Sequence, residues 1–329
     1  MGHYEQAMSQ SADSAPPPCP ACGAPGASEI DSVRTADLAA LYRQRGIEVA
    51  AYLEAARVIA RLRCAVCDLG YFAPPCPGDA HFYQQLQTQS WYYQDSKPEY
   101  AYAAPFVRAG QRVLEVGCGK GAFGSYLAPG TIYRGLEFND EAVRRALDAG
   151  LDVRREPVEE HAAVHPGLYD VVCSFQVLEH VPAPGSFIHA CVGALAPGGR
   201  LIVAVPAEDS FLALAANAPL NMPPHHVLRW SDRALRNLAE REGLLVEALW
   251  HEPIASFHRD WQLQTLALYR LAGGGARPAP LIDRSLRYRL AVRLVNLRRI
   301  RDWLARRVLR ARPELARGHT VVLVASKPA

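Results

Sequence analysis

One stretch constrains the chain more than any other: Val113-Leu114-Glu115-Val116-Gly117-Cys118-Gly119-Lys120-Gly121, an apolar run entering a turn with glycine at every second position. The run reads as a buried strand, with a helix expected to begin near Ala122. Glycines there can take positive φ and let a ligand press against bare backbone N–H groups at the helix start. The pattern marks a nucleotide-type ligand site. Glu115 inside the strand departs from a dinucleotide site, because a carboxylate repels a pyrophosphate and suits a ligand carrying an ammonium or sulfonium charge. Gly117-x-Gly119-x-x-Ala122 also satisfies the dinucleotide fingerprint, with Glu137 as its ribose acid, but no second nucleotide half or hydride-transfer constellation accompanies it.

These residues resemble the first motif of class I S-adenosylmethionine-dependent methyltransferases, Glu/Asp-x-Gly-x-Gly-x-Gly, matched by Glu115, Gly117, Gly119 and Gly121. The resemblance continues in order along the chain. Strand-like Tyr133 to Glu137 ends in an acid, which in that family accepts hydrogen bonds from both ribose hydroxyls, about 20 residues beyond the glycines as a crossover requires. A helix over Glu141 to Ala149 is closed by Gly150. A buried strand, Tyr169 to Phe175, leads into Gln176-Val177-Leu178-Glu179-His180, similar to the fourth-strand motif of methyltransferases related to those of ubiquinone biosynthesis. A helix (Pro184 to Leu195), the turn Ala196-Pro197-Gly198-Gly199 and the strand Arg200 to Val205 follow. Leu244 to Leu249 and Thr320 to Ala325 supply the final two strands, the last antiparallel as in the family. The alternation predicts an α/β fold, a Rossmann-like doubly wound sheet of seven strands. The resemblance covers roughly 90–329 and implies S-adenosyl-L-methionine as cofactor, with Glu115, Gly117, Gly119, Gly121, Glu137, Phe175, Gln176, Val158 and Glu159 as its contacts.

The N-terminal section carries a second signal. Cys19-Pro20-Ala21-Cys22-Gly23 and Cys64-Ala65-Val66-Cys67 are two Cys-x2-Cys pairs with turn-prone sequence after each. Two such hairpins place four thiolates tetrahedrally, the pattern of a structural zinc site, whereas paired disulfides are the alternative. Nothing at the N-terminus resembles a secretory signal, which favours reduced thiols and zinc. The 41 residues between the pairs exceed the usual ribbon spacing, and a helix over Ala36 to Leu62, with Leu38, Leu41, Tyr42, Val49, Leu53 and Ile59 as its apolar positions, would absorb them. The expected division is a flexible 1–15, a zinc-binding module over 16–85, and a methyltransferase domain over 86–329 with a helical insertion at about 255–317. Cys76, Cys118 and Cys173 read as a surface thiol and two buried small hydrophobes.

A chain of 329 residues is long enough for both units. No apolar run is long enough to span a membrane, and a cytoplasmic location is expected. The net charge of +3 does not by itself point to nucleic acid. Its distribution is uneven: twelve arginines lie from Arg284 to Arg317 against Asp302 and Glu314 alone, while Leu286, Leu290, Leu294, Leu297, Ile300, Leu304 and Val308 recur at helical spacing. The segment suits a cover over the site, peripheral contact with the inner face of an anionic membrane, a grip on an anionic substrate, or an ordinary helix with a solvated arginine face. With only three lysines in the chain, arginine usage as such carries little meaning.

The candidate chemistry lies in Asn221-Met222-Pro223-Pro224-His225-His226-Val227-Leu228-Arg229-Trp230-Ser231, a loop expected at the carboxyl end of the sheet, where open α/β folds bind ligands. A neutral imidazole there can take a hydroxyl proton as a new oxygen–methyl bond forms. His225, His226 and His180 are the candidate bases, each with a structural role as the alternative. Tyr92, Tyr93, Arg229 and Trp230 are the candidate substrate contacts, and Ser231 the cap of a helix from Asp232. Together, the cysteine pairs, the Tyr-Tyr…Lys-Pro-Glu linker and the histidine loop resemble bacterial methyltransferases of sugar and polysaccharide biosynthesis. That implies a small-molecule or glycan-linked acceptor methylated on oxygen, with carbon methylation of a keto-sugar, an RNA substrate read through the zinc module, and a scaffold without turnover as alternatives. Ser174-Phe175-Gln176-Val177 lacks the Asn/Asp-Pro-Pro-aromatic pattern that positions a base amino group, so nucleic acid is not the expected partner.

Overall fold

The computed structural model describes residues 16–87, 96–274 and 279–329. Its strands are β1 (Ser28–Arg34), β2 (Val58–Arg63), β3 (Gly70–Ala73), β4 (Arg112–Val116), β5 (Ile132–Leu136), β6 (Asp152–Arg154), β7 (Tyr169–Phe175), β8 (Leu195–Pro206), β9 (Leu228–Arg229), β10 (Leu245–Pro253) and β11 (Arg317–Ser326). Seven of them form one sheet in the order β10-β11-β8-β7-β4-β5-β6. β4 through β8 are parallel and β11 runs antiparallel to both its neighbours, β8 and β10. This is the doubly wound, Rossmann-like sheet of seven strands with its reversed strand, as the sequence predicts. Nearly every residue of β7 is buried, as expected of a central parallel strand covered by helices on both faces.

Two predicted elements are different. The helix expected at Ala122 is a single 3-10 turn, Ala122–Tyr126, in which Gly124 N–H donates to the Gly121 carbonyl. Gly124 and Ser125 favour a turn over helix propagation, and Pro129-Gly130 follows closely. The long helix expected over Ala36 to Leu62 stops at Arg43, because Gly46 with φ of 72° ends it. A 3-10 turn at Ala50–Leu53 and strand β2 take up the rest. The apolar positions still converge: Leu38, Tyr42, Val49, Leu53 and Ile59 share one cluster with Phe72 and Phe82.

A second sheet, β1-β2-β3-β9, is antiparallel, and its last strand comes from the histidine loop. One apolar cluster runs from Cys19, Leu62 and Leu69 through Trp230 and Leu235 to Val203 and Leu323 of the large sheet. Among the described residues between β10 and β11 lie three α-helices, Arg259–Leu271, Leu286–Val295 and Arg298–Ala311. The first and third pack through Leu266, Ala305 and Val308 on Phe211, Leu212 and Leu214, which lie on the loop after β8, and Val295 of the second packs on Ala267 and Leu304. Among the described residues no helix is long and apolar enough to cross a membrane.

Candidate active site

At the carboxyl ends of β4 and β5 the chain makes an acid-and-glycine face. Gly117, Gly119 and Gly121 all have positive φ. At Gly117 a Cβ would also lie 2.3 Å from Val177 Cγ2, so this glycine lets the loop after β7 close against the loop after β4. The N–H groups are not bare, however. Gly117 and Cys118 N–H both donate to the Leu136 carbonyl (2.8 and 3.0 Å), and Gly121 N–H donates to Cys118 (2.9 Å). Gly119 N–H donates to Glu137 Oε2 at 2.9 Å. With these N–H groups engaged within the protein, the loop offers the Glu137 carboxylate rather than a phosphate cradle, which fits a cationic ligand or a hydroxyl better than a pyrophosphate. Glu137 Oε1 also accepts from Phe138 and Asn139 N–H, both at 2.8 Å, fixing the acid at the end of β5. Glu115 is buried beneath the loop against the Tyr133 hydroxyl at 2.5 Å, and burial pushes its carboxyl up to about 8.

Other predicted cofactor contacts are more dispersed. Gln176 takes a left-handed conformation, φ 58°, and its side-chain amide donates to Glu99 Oε1 (3.3 Å) and Thr320 Oγ1 (3.4 Å). The Phe175 ring is core, packed on Tyr100 and Phe123 with centroids 5.0 and 4.8 Å away. Val158 is buried at the start of the helix Val158–Val164, while Glu159 beside it is exposed and accepts from Ser186 at 3.4 Å. Lys97 precedes the helix Pro98–Ala103, with its ammonium 5.4 Å from the centre of the Tyr100 ring. Its charge bears on Glu115, Glu179 and His180 alike, so the glycine loop and the histidine loop share one electrostatic neighbourhood.

The three candidate bases come together. One ring nitrogen from each of His180, His225 and His226 lies within 4.8 Å of the others, and the His225 and His226 rings stack at 4.3 Å. His180 Nδ1 is 2.6 Å from the His225 carbonyl and His225 Nδ1 is 2.8 Å from the Leu220 carbonyl. A carbonyl can only accept, so both rings carry their proton on Nδ1 and leave Nε2 as the basic nitrogen. Burial lowers His180 to about 4 and His225 to about 3, and holds His226 well below its ordinary value. All three are neutral near pH 7. Glu179 Oε1 lies 3.6 Å from His180 Nε2 and 3.9 Å from His226 Nε2. Burial pushes its carboxyl up to about 8, and neither oxygen has a hydrogen-bond partner among the described residues.

Of the predicted substrate contacts, Tyr92 and Tyr93 lie outside the described residues. Trp230 is fully buried in the main core, so its ring serves packing and offers no face to a ligand. Arg229 is also buried, donating to Glu208 at 2.7 Å, and Arg61 pairs with the same carboxylate. A charge placed there is compensated locally and ties β9 to β2. Ser231 caps the helix Asp232–Arg241 as predicted, accepting from Ala234 N–H at 3.1 Å.

Sequence reasoning missed several neighbours. Tyr83, on the helix Ala80–Gln87, sets its ring edge-on to His180 at 5.5 Å. Glu252, His258 and His319 form another close group, with Glu252 Oε1 2.6 Å from His319 Nδ1. His319 bears electrostatically on His226, which puts this group beside the histidine loop. No local motif signals either set, because β10, β11 and the N-terminal helix meet only in the fold.

The two cysteine hairpins also converge. Cys19 and Cys67 sulfurs are 3.5 Å apart, Cys22 and Cys64 sulfurs 3.6 Å, and all four lie within 4.8 Å of one another as free thiols. A tetrahedron with metal–sulfur bonds near 2.3 Å has edges of about 3.8 Å, so the spacing suits one zinc-sized cation. Both hairpins turn in the same way: Gly23 and Asp68, each following the second cysteine, have φ near 70°, and each donates its N–H to the carbonyl of the first cysteine, at 2.8 and 3.0 Å.

With this geometry in view, comparison with known proteins places the domain. Residues 86–249 match the family described as "Methyltransferase domain". A ubiquinone biosynthesis O-methyltransferase of Klebsiella pneumoniae subsp. pneumoniae is 43% identical over 99 residues, 28% of this chain and 41% of the relative. The same enzyme of Salmonella arizonae is 42% identical over the same extent. The chain thus spans about two fifths of the length of the curated relatives it matches. A solved SAM-dependent methyltransferase from Archaeoglobus fulgidus aligns with TM-score 0.49 and 15% identity, over 74% of this chain and 100% of that one. The strand order, the acid-and-glycine face and the family match agree, and residues 86–249 belong to the class I S-adenosylmethionine-dependent methyltransferases.

Proposed function

We propose that the whole protein methylates a hydroxyl oxygen of a sugar or glycan-linked acceptor, using S-adenosylmethionine as donor and an imidazole of His180, His225 or His226 as base. The observation that carries this reading is the buried, neutral imidazole group on the ligand edge, joined to the glycine loop where Val177 packs on Gly117. Bound there, the cofactor supplies a methyl group on a positively charged sulfur. Glu137 can exchange its bond from Gly119 for a ribose hydroxyl. An imidazole Nε2 takes the acceptor's proton as oxygen gains the methyl, and Glu179, with Oε1 3.6 Å from His180 Nε2, lies beside the ring that would carry it. The curated relatives are named as O-methyltransferases, which supports oxygen. The motif set from Cys19 to Ser231 supports a sugar. The same imidazoles can remove an α-proton, so methylation at carbon is the nearest variant.

A second reading is favoured by the two oxygens of buried Glu179, which have no hydrogen-bond partner among the described residues. With the three imidazoles they suit a divalent cation that would bind and acidify the acceptor hydroxyl.

We also propose that Cys19, Cys22, Cys64 and Cys67 hold a structural zinc. Four thiolates leave no open coordination position, so its role is to fix structure. What it fixes is the histidine loop. Arg233, Asn237 and Arg241 of the helix after that loop donate to the carbonyls of Val66, Cys67 and Cys22, and Tyr42 donates to the carbonyls of Pro219 and Met222.

The test is turnover and cofactor affinity measured side by side. Loss of turnover with unchanged affinity in His225→Ala and His226→Ala supports base catalysis. Turnover that falls in both variants only together with bound divalent metal favours the second reading. Full activity in both contradicts the assignment of either residue as base.

A further inference from the structure

The helical insertion turns an apolar stripe toward solvent. In the helix Leu286–Val295 the inward positions are Ala291 and Val295, and Val295 packs with Ala267 and Leu304. On another face, spaced four residues apart, Leu286, Leu290 and Leu294 are 63%, 48% and 43% exposed. The exposed run continues through Leu297, Ile300 and Trp303. A helix covered on one side needs apolar residues on that side only, and its outer face is ordinarily polar. Here two consecutive helices and Leu297 between them carry seven large apolar side chains in water, Val292 included, beyond those they bury.

The charge around them has one sign. Eight exposed arginines lie between Leu286 and Ala311, and the single acid in that stretch, Asp302, is tied to Arg301 at 2.9 Å. The Arg307 guanidinium lies over the Trp303 ring, 4.8 Å from its centre. Arg289 and Arg293, with Tyr288, Asp283 and an Arg284 already paired to Asp37 at 2.8 Å, line a cavity of about 530 Å³ beside the same helix.

We propose that this face docks the protein on an anionic lipid bilayer, with the leucine stripe and Trp303 entering the headgroup boundary and the arginines pairing with lipid phosphates. Apolar side chains interleaved with cations are what an interfacial helix needs. An RNA backbone would use the arginines but leave Leu286, Leu290 and Leu294 in water, and one exposed tryptophan is no base-stacking platform. A second copy of the chain packed by two-fold symmetry would bring arginine against arginine. The helix Arg298–Ala311, which carries Ile300 and Trp303, rests on the loop after β8, so docking places the ligand edge of the sheet near the bilayer. The proposal holds whichever acceptor is methylated.

Cosedimentation of the full chain with phosphatidylcholine vesicles, with and without about one third phosphatidylglycerol, tests it. Binding is expected on the anionic vesicles and should weaken with salt. Changing Arg289, Arg293 and Arg307 together to glutamine should weaken it on the order of 100-fold, at about 1 kcal/mol for each charge removed. Changing Leu290, Leu294 and Trp303 together to serine should weaken it with the arginines intact. These positions are exposed, so both variants should keep the wild-type melting midpoint and cofactor affinity. Equal binding to neutral vesicles, no binding to either, wild-type affinity in the serine variant, or displacement of the bound protein by RNA at equal phosphate would each overturn the proposal.

Discussion

At the scale of single residues the account rests on a few carboxylates and imidazoles whose surroundings set their charge. Glu137 is held by three N–H groups at the end of β5, where the proposed reading has it accept from the cofactor ribose. Glu137→Ala should weaken S-adenosylmethionine binding on the order of tenfold to 100-fold, the worth of one charge-assisted hydrogen bond; calorimetric titration reads it directly, and unchanged affinity contradicts the assignment. Removing a true general base should lower kcat by roughly 10²–10⁴, so His225→Ala and His226→Ala should each slow turnover while leaving that titration unaltered. The buried rings also tie stability to pH. His180 stands at about 4 in the fold against 6.5 in an open chain. Between those values the unfolded chain binds a proton that the folded one refuses. Stability present above pH 6.5 is therefore lost as pH falls toward 4, by about 3 kcal/mol for this ring. Glu179, raised to about 8, acts oppositely, its contribution fading as pH rises through 8. Thermal melts from pH 4 to 7 should show a shallower acid limb for His180→Gln than for the wild type, and an identical limb would contradict the buried neutral state of this ring.

Among elements, the cysteine hairpins and the histidine loop form one mechanical unit. β3 pairs with β9, Phe72 N–H donates to Val227 at 3.1 Å, and Gly78 N–H donates to Pro224 at 2.8 Å. Cys64→Ser should release about one equivalent of zinc, measured by metal analysis of the purified chain. It should also lower kcat without contact with the acceptor, because the loop bearing His225 and His226 loses its backing. A wild-type protein free of metal, or a variant with full zinc, would count against this. The elements legible in sequence were those with unbroken periodicity or a chemical stop signal. β7 was readable from its apolar run, and the helix Asp140–Asp148 from its spacing and Gly150. The stretch from Ala36 to Leu62 was misread because its apolar residues fit helical spacing while Gly46 interrupts it and Val58–Arg63 pairs with β1. Pairing with a distant strand leaves no local trace. For the same reason Trp230 and Arg229 read as pocket residues, although the neighbours that bury them, Glu208 among these, lie on other segments.

On the scale of the molecule, the glycine loop, the fourth-strand motif and the histidine loop were legible because each is a short motif whose chemistry depends on adjacent residues. Invisible in the sequence was how Tyr83, Glu252, His258 and His319 gather around the histidine loop from four separate elements. On the proposed reading the large sheet fixes the cofactor end and the N-terminal sheet backs the histidine loop that meets the acceptor, while the basic insertion packs on the loop after β8. Transfer of labelled methyl from S-adenosylmethionine tests this arrangement most directly, using a lysate of the source cells separated into glycan and nucleotide-sugar, RNA, protein and small-molecule fractions. The account predicts label in the glycan or nucleotide-sugar fraction with the wild type and much less with the His225→Ala/His226→Ala double variant. Label in RNA, or tight cofactor binding with no label in any fraction, would contradict it.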